Sequence, residues 1–297
     1  MLPDVPATFD AALTEAARRS ESCLNTILPA DGQSRLGDAM RYGVLNGGKR
    51  LRAFLVIEGA RLFRVPEIQA DRAAAAIECL HAYSLIHDDL PAMDDDDLRR
   101  GVPTVHKAWD EATAILAGDA LQTLAFETLA HTRTAPDPTI RVKLIAALAE
   151  AAGADGMVGG QDMDLAAEAA KTPLSLDDIS ELQDKKTGAL IRWAAKAGAI
   201  LGKSDTAPLG HFATNIGLAF QIQDDILDVT GDAKIAGKRL RKDKNAGKAT
   251  FVSHLGLGTA RDMAAALVEE AVSALSPYGS DADHLRDCAR YIISREK

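Results

Sequence analysis

The sequence predicts an all-α protein folded as a single domain, and three observations predict it. Composition favours helix, because alanine is abundant, aromatic residues are only 4% and few β-branched runs stand out. An amphipathic helical period recurs along almost the whole chain. No linker rich in Gly, Ser or Pro divides it and no internal repeat is visible, so 1–297 reads as one bundle of about ten or more helices.

The first helices are expected over 8–28, 35–46 and 51–63. Breaks follow at Pro29-Ala30-Asp31-Gly32, at Gly47-Gly48 and at Val65-Pro66. A longer helix covers about 67–89. In it Ala76, Leu80, Tyr83 and His87 fall at spacings of four, three and four, which is one helix face. Further helices are expected over 111–131, 139–153, 175–201, 207–230, 258–275 and 281–293. Pro136, Pro138 and Pro173 mark joints between them.

The 297 residues are enough for a sizeable core, and 47% hydrophobic with 26% charged residues is a globular balance. A net charge of −9 argues against nucleic acid as a partner, which demands a basic face. Basic residues nevertheless gather at 49–52, 99–100 and 238–248, close in sequence to acidic clusters. That pattern suits a small polyanion bound with metal. Cys23, Cys79 and Cys288 lie far apart, so neither a disulfide framework nor a zinc site is expected. With no secretory pattern at the N-terminus and no run of 18 apolar residues, the expected location is the cytosol, without a membrane span.

Two acidic clusters carry the candidate chemistry. The first runs from Asp88-Asp89 through Pro91 and Ala92 to Asp94 and on to Arg99-Arg100-Gly101. Its carboxylates stand at a helix C-terminus, where they oppose the macrodipole and repel one another. Pro91 ends the helix and lets Asp94 turn back towards Asp88. The second is Gln221-Ile222-Gln223-Asp224-Asp225-Ile226-Leu227-Asp228, where Asp224 and Asp228 share a face, as do Gln221 and Asp225. Two carboxylates ~6 Å apart at an effective dielectric near ~20 repel by roughly 3 kcal/mol. A solvated acidic patch explains either cluster alone. Both together suggest Mg²⁺, which takes carboxylate oxygen and keeps positions open for phosphate. The order of acids is not that of a calcium loop.

Basic residues complement the acids. Gly47-Gly48-Lys49-Arg50-Leu51-Arg52 puts two glycines ahead of a cationic helix start, with Lys49 and Arg52 on one face. Arg99 and Arg100 offer planar forks for phosphate. Lys185-Lys186-Thr187 adds charge and a hydroxyl, and Lys238 to Lys248 forms a basic segment.

With these motifs in place, the chain resembles the trans-isoprenyl diphosphate synthases, most closely the bacterial farnesyl diphosphate synthase type. The likeness spans nearly the whole length in motif order: GGKRLR at 47–52, HAYSLIHDDLPAMDDDDLRRGVPTVH at 81–106, MVGGQDMDL at 157–165, KKTGAL at 185–190 and FQIQDDILDVTGD at 220–232. The resemblance implies an isoprenoid-synthase-type bundle around a central cleft. It implies that Asp88, Asp89 and Asp94, with Asp224, Asp225 and Asp228, hold about three Mg²⁺ ions at an allylic diphosphate. Arg99, Lys186 and Lys238 are then expected to bind that diphosphate. Lys49, Arg52, His81 and Arg100 are expected to bind isopentenyl diphosphate. Thr187 and Gln221 flank the reacting carbons. The partners implied are those diphosphates and a second copy of the chain, as a homodimer.

The implied reaction is head-to-tail condensation through an allylic cation to a roughly fifteen-carbon product. Segment 238–248 is expected to close as a lid. Tyr83, five residues before Asp88 and so about 7.5 Å along the helix at ~1.5 Å per residue, reads as the floor for the growing tail, with Ser84 beside it. Three features depart from the family pattern: Phe251-Val252 after Gly247-Lys248-Ala249-Thr250, the basic Arg239-Leu240-Arg241, and Asp162. The alternatives are the same chemistry stopping at ten or twenty carbons, a silent regulatory subunit, and a terpene cyclase. The two complete aspartate sets speak against the silent subunit, and Lys49, Arg52 and His81 speak against a cyclase. No catalytic role is assigned to His87 or His106.

Overall fold

The computed structural model describes residues 7–169, 172–230 and 249–295. Among the described residues regular structure is helical, apart from one hairpin with two residues in each strand. The all-α expectation therefore holds. The chain forms two compact units, Met1–Ile145 with Ile200–Lys203, and Ala146–Ala199 with Ser204–Lys297.

The first unit contains α1 (Phe9–Ile27), α2 (Arg35–Leu45), α3 (Leu51–Leu62) and α4 (Glu67–Asp88). The hairpin β1 (Leu98–Arg99) and β2 (Val102–Pro103) follows, then α5 (Val105–Ala108), α6 (Glu111–Ala130) and the start of α7 (Pro138–Ala152). Side-chain caps set several starts. Thr8, Ser34 and Asp110 accept hydrogen bonds from the amides of Ala11, Gly37 and Thr113, each contributing about 1 kcal/mol.

Helix α4 is the centre of this unit and packs against α6, α3, α1 and α2. Its middle, Arg72 to Leu80, is buried on every side. Ala73, Ala74, Ala75 and Ala76 have no bulk, so neighbouring helices approach closely. Helix α6 answers with Ala114, Ala117, Gly118, Leu121 and Ala125, also buried. Inside this alanine-rich packing sits Glu78. It pairs with Arg50 at 3.2 Å and accepts from the Ala53 amide at 3.0 Å. Arg50 also donates to the Val44 carbonyl at 2.6 Å.

The second unit contains α8 (Met157–Glu168), α9 (Leu176–Gln183), a π-turn over Asp184–Gly188, α10 (Ala189–Leu201, its last residues in the first unit) and α11 (Ala207–Thr230). It ends with α12 (Phe251–Leu255), α13 (Leu257–Ala274), a 3-10 turn over Ser276–Ala282, and α14 (Asp283–Ser294). Helix α11 packs against α13 and α14. Ile222 and Ile226 of α11 join Ile179, Phe251, Ala260 and Ala264 in one core cluster.

Three local results differ from the sequence reading. The helix expected over 175–201 is three pieces, α9, the π-turn and α10. The cause is tertiary: a Cβ on Gly160 of α8 would stand 2.2 Å from the Lys186 amide nitrogen, so α8 presses directly on the turn. Helix α8 itself was not expected, because Gly159-Gly160 lowers local helix propensity. Those glycines are what let it approach the turn. The hairpin was not expected because two residues per strand show no alternation. It turns at Arg100 and Gly101, whose φ values are 54° and 82°, the positive-φ pair of a tight two-residue hairpin.

Candidate active site

The first acidic cluster grows from the end of α4. Asp88 is the last helical residue and Asp89 is its C-cap. The Asp94 amide donates to the Asp88 carbonyl at 2.8 Å, so the loop after Pro91 does fold back as expected. Asp88 and Asp94 are half-buried, whereas Asp89 is buried. Arg99 of β1 reaches Asp89 Oδ1 with Nε at 2.7 Å and a terminal nitrogen at 2.6 Å. Burial pushes the Asp89 pKa up, and the Arg99 hydrogen bond and charge pull against that shift. The hairpin thus exists, locally, to bring Arg99 to the acids.

A cationic corner lies in the same unit. Gly47, Gly48 and Arg50 all have positive φ, at 70°, 106° and 52°. This turn sends Lys49 outward and Arg50 inward to Glu78. Arg100 donates to the carbonyls of Asn46 and Gly47. A Cβ on Gly48 would stand 2.6 Å from the Arg100 guanidinium carbon, so only glycine permits this approach. Arg52 lies with a terminal nitrogen 3.4 Å from His81 Nε2. Burial, reinforced by Arg52, Arg100, Arg99 and Arg50, holds the His81 pKa well below the ordinary histidine range. The imidazole is therefore neutral. Arg52 Nε is buried without a hydrogen-bond partner. Burial and Arg100 press the Arg52 pKa down, against the pull of Glu78. Neighbouring guanidinium groups around a buried donor give this corner the chemistry of an anion site.

Tyr83 is buried on α4, its pKa raised by burial and by the Asp88 charge, with a hydrogen bond to Gln122 opposing. The hydroxyl of Ser84 donates back to the His81 carbonyl at 2.9 Å.

In the second unit the acids stand on α11. Asp224 pairs with Arg295 at 2.6 Å, and that guanidinium lies 3.9 Å over the Phe220 ring. Asp225 accepts from the Phe251 amide at 2.8 Å, the first residue of α12. Asp228 and Gln221 are half-buried on the same helix. Lys186 pairs with Asp164 of α8 at 2.6 Å, and Thr187 follows in the π-turn. Lys238 and the segment 238–248 lie outside the described residues.

Both acidic clusters offer carboxylate oxygen alone, with no thiol and no imidazole among the candidates. That donor set fits Mg²⁺. In the described arrangement Asp89, Asp224 and Asp225 are directed at protein donors, and no group of three or more His, Cys, Asp or Glu side chains among the described residues is placed to hold a metal ion. The guanidinium contacts of Asp89 and Asp224 run to Oδ1 in each case.

Five residues escaped the sequence reading. Arg50 was one of four consecutive basic-motif positions, and nothing local said that it points inward. Its partner Glu78 was readable as a lone acid inside AAAAIECL. Asp164 and Arg295 are far in sequence from their partners Lys186 and Asp224. Gln161, one residue after the glycine that meets Lys186, has both amide atoms buried without a partner.

The polyprenyl synthetase family pattern matches residues 33–290. A farnesyl diphosphate synthase of Escherichia coli is 46% identical, with 99% of this chain and 100% of that protein covered. One from Haemophilus influenzae is also 46% identical, over 87% of this chain and 88% of its own. The crystal structure of an FPP/GFPP synthase from Zymomonas mobilis superposes with a TM-score of 0.88 at 48% identity, covering 97% of this chain and 100% of that one. The match to the family over most of the length, and to relatives of nearly equal length that carry its fold, establishes that this chain belongs to the polyprenyl synthetase family.

Proposed function

We propose that this chain condenses isopentenyl diphosphate head to tail with dimethylallyl or geranyl diphosphate, giving farnesyl diphosphate and free diphosphate. The observation that carries the reading is the cationic corner in which half-buried Arg52 stands beside neutral His81, its Nε shielded and unpartnered. A second diphosphate needs such a corner, and an enzyme that only ionises one allylic substrate does not. The relatives named farnesyl diphosphate synthase support the product length.

In this reading the chain 1–297 works as one polyprenyl synthetase domain, as a homodimer in the cytosol. Lys49, Arg52, His81 and Arg100 bind the isopentenyl diphosphate head. Arg99, Lys186 and Lys238 bind the allylic diphosphate. Mg²⁺ held by Asp88, Asp89, Asp94, Asp224, Asp225 and Asp228 would supply positive charge to the departing diphosphate. Arg99 and Lys186 add fixed charge there, released from Asp89 and Asp164 as the substrate arrives. The allylic C–O bond breaks with both electrons leaving on the diphosphate. The isopentenyl double bond, held alongside, forms the new carbon–carbon bond with the cation. A proton then passes to the released diphosphate, so no protein nucleophile is consumed. Thr187 and Gln221 present oxygen to the cation. The cation must be kept from water until the new bond forms.

The experiment is a product assay with isopentenyl diphosphate and either starter, with Mg²⁺ and with EDTA, reading the dephosphorylated alcohols. Mainly farnesol, only with Mg²⁺, is expected. Geraniol or geranylgeraniol as the main product overturns the length. No metal-dependent product overturns the reaction.

Two variants follow. Tyr83→Ala opens the space beside α4 and shifts the product to twenty carbons or more. An unchanged alcohol profile sinks the idea that Tyr83 stops the tail. Gly48→Ala forces an L side chain to φ 106° and drives the Arg100 guanidinium off its carbonyls. The expected cost is about 1–2 kcal/mol of stability, with a raised KM for isopentenyl diphosphate. The KM for geranyl diphosphate stays near the parent value. Equal rises in both constants would remove Arg100 from the isopentenyl side.

A further inference from the structure

His87 stands four residues after Tyr83, on the same face of α4. Its ring meets Tyr83 edge-on, with centroids 5.2 Å apart and an interplanar angle of 88°. Its Nε2 lies 3.0 Å from the Ile115 carbonyl oxygen of α6. A carbonyl only accepts, so this nitrogen carries the proton and donates. The imidazole also lies directly on the α6 backbone. A Cβ on Gly118 would stand 2.2 Å from Nε2 and 2.5 Å from Cδ2. One turn further along α6, Gln122 shares a hydrogen bond with Tyr83 itself.

These contacts form one device. Ile115, Gly118 and Gln122 are at i, i+3 and i+7 on α6, a single face. Ile115 ties the imidazole by hydrogen bond, Gly118 gives it a seat, and Gln122 holds the tyrosine hydroxyl. Tyr83 is thereby gripped at its hydroxyl and along one ring edge. An aromatic ring free to turn about its two side-chain torsions marks no fixed boundary. A ring wedged between Gln122 and a pinned imidazole does.

We propose that His87, seated on Gly118 and tied to the Ile115 carbonyl, is a positioning residue for product length. It holds the Tyr83 ring where that ring stops the growing tail. The inference rests on the reading of Tyr83 as that stop, and it assigns a task to a histidine and a glycine that the condensation chemistry leaves unused.

The test uses the full-length enzyme with isopentenyl and geranyl diphosphates and Mg²⁺, comparing Tyr83→Ala, His87→Ala, the double variant and Gly118→Ala. The readout is the ratio of alcohols of twenty or more carbons to farnesol. Because it is internal to each reaction, a slower variant still reports. Tyr83→Ala is expected to raise the ratio about tenfold or more, and His87→Ala severalfold. In the double variant His87→Ala adds nothing, since the ring it positioned is gone. Gly118→Ala unseats the imidazole from the α6 side and raises the ratio as His87→Ala does, so it carries the test if His87→Ala fails to fold. If Tyr83→Ala lengthens the product while His87→Ala and Gly118→Ala do not, the positioning role is overturned. Additive shifts in the double variant overturn it too, because His87 would then act on the tail independently. An unchanged product from Tyr83→Ala brings down the stop itself, and the positioning role with it.

Discussion

Asp88→Asn lowers turnover by about 10²–10³ at saturating Mg²⁺, with a thermal midpoint close to the parent's. The rate estimate comes from removing one group that stabilises charge developing on a leaving oxygen, about 2.7–4 kcal/mol of barrier. The side chain ends α4, where it opposes the helix dipole, and its charge acts on Arg99 together with those of Asp89 and Asp96. Neutralising it relieves that opposition, and such half-exposed charge terms are worth about 1 kcal/mol or less. Loss of rate without loss of fold is therefore the signature of a catalytic carboxylate. Steady-state kinetics and a melting curve on the same preparation check it. Parent-like turnover would remove Asp88 from the chemistry. A large drop in the melting midpoint would recast it as structural.

Glu78→Ala should be the most damaging single change to the fold of the first unit, at about 3–5 kcal/mol. Arg50 and Glu78 are both almost fully shielded, with side-chain exposures of 3% and 4%. Removing the carboxylate leaves the buried Arg50 guanidinium with only the half-buried Glu21 at 3.3 Å and the Val44 carbonyl, and the Ala53 amide without its acceptor. The double variant Arg50→Met with Glu78→Leu is expected to be less destabilised than Glu78→Ala. It removes both charges together and refills the volume. Urea denaturation midpoints read the difference. Equal loss in single and double variants would show that packing, not the loss of the buried Arg50–Glu78 pair, sets the cost. The pair has a functional side as well, because Arg50 orients the turn that carries Lys49 and Arg52.

Helical class, most helix boundaries and the order of the motifs were readable from the chain. Period and composition act locally, and a 22-residue helix such as α4 repeats its pattern often enough to be unambiguous. The aspartate and basic motifs stand out in the chain for a different reason: like charges gathered within a turn of one another are a property of neighbours along the backbone. The fold-back of Asp94 onto Asp88 was also local, following from Pro91.

What tertiary structure alone decided are the pairings and the breaks. Arg50 and Arg52 are two residues apart in one basic run, yet one neutralises Glu78 and the other is left with an open donor beside His81. Only the αL turn at Gly47-Gly48 and the packing of α3 on α4 separate those fates. The interruption of the 175–201 helix depends on Gly160 pressing against Lys186, a contact between residues with no local tie. The seat of His87 on Gly118 depends on two small-residue helices meeting closely. Sequence by itself determined which chemistry the chain carries, because charge and periodicity are properties of neighbours along the backbone. Structure decided which charge meets which, because burial and close approach depend on residues distant in sequence.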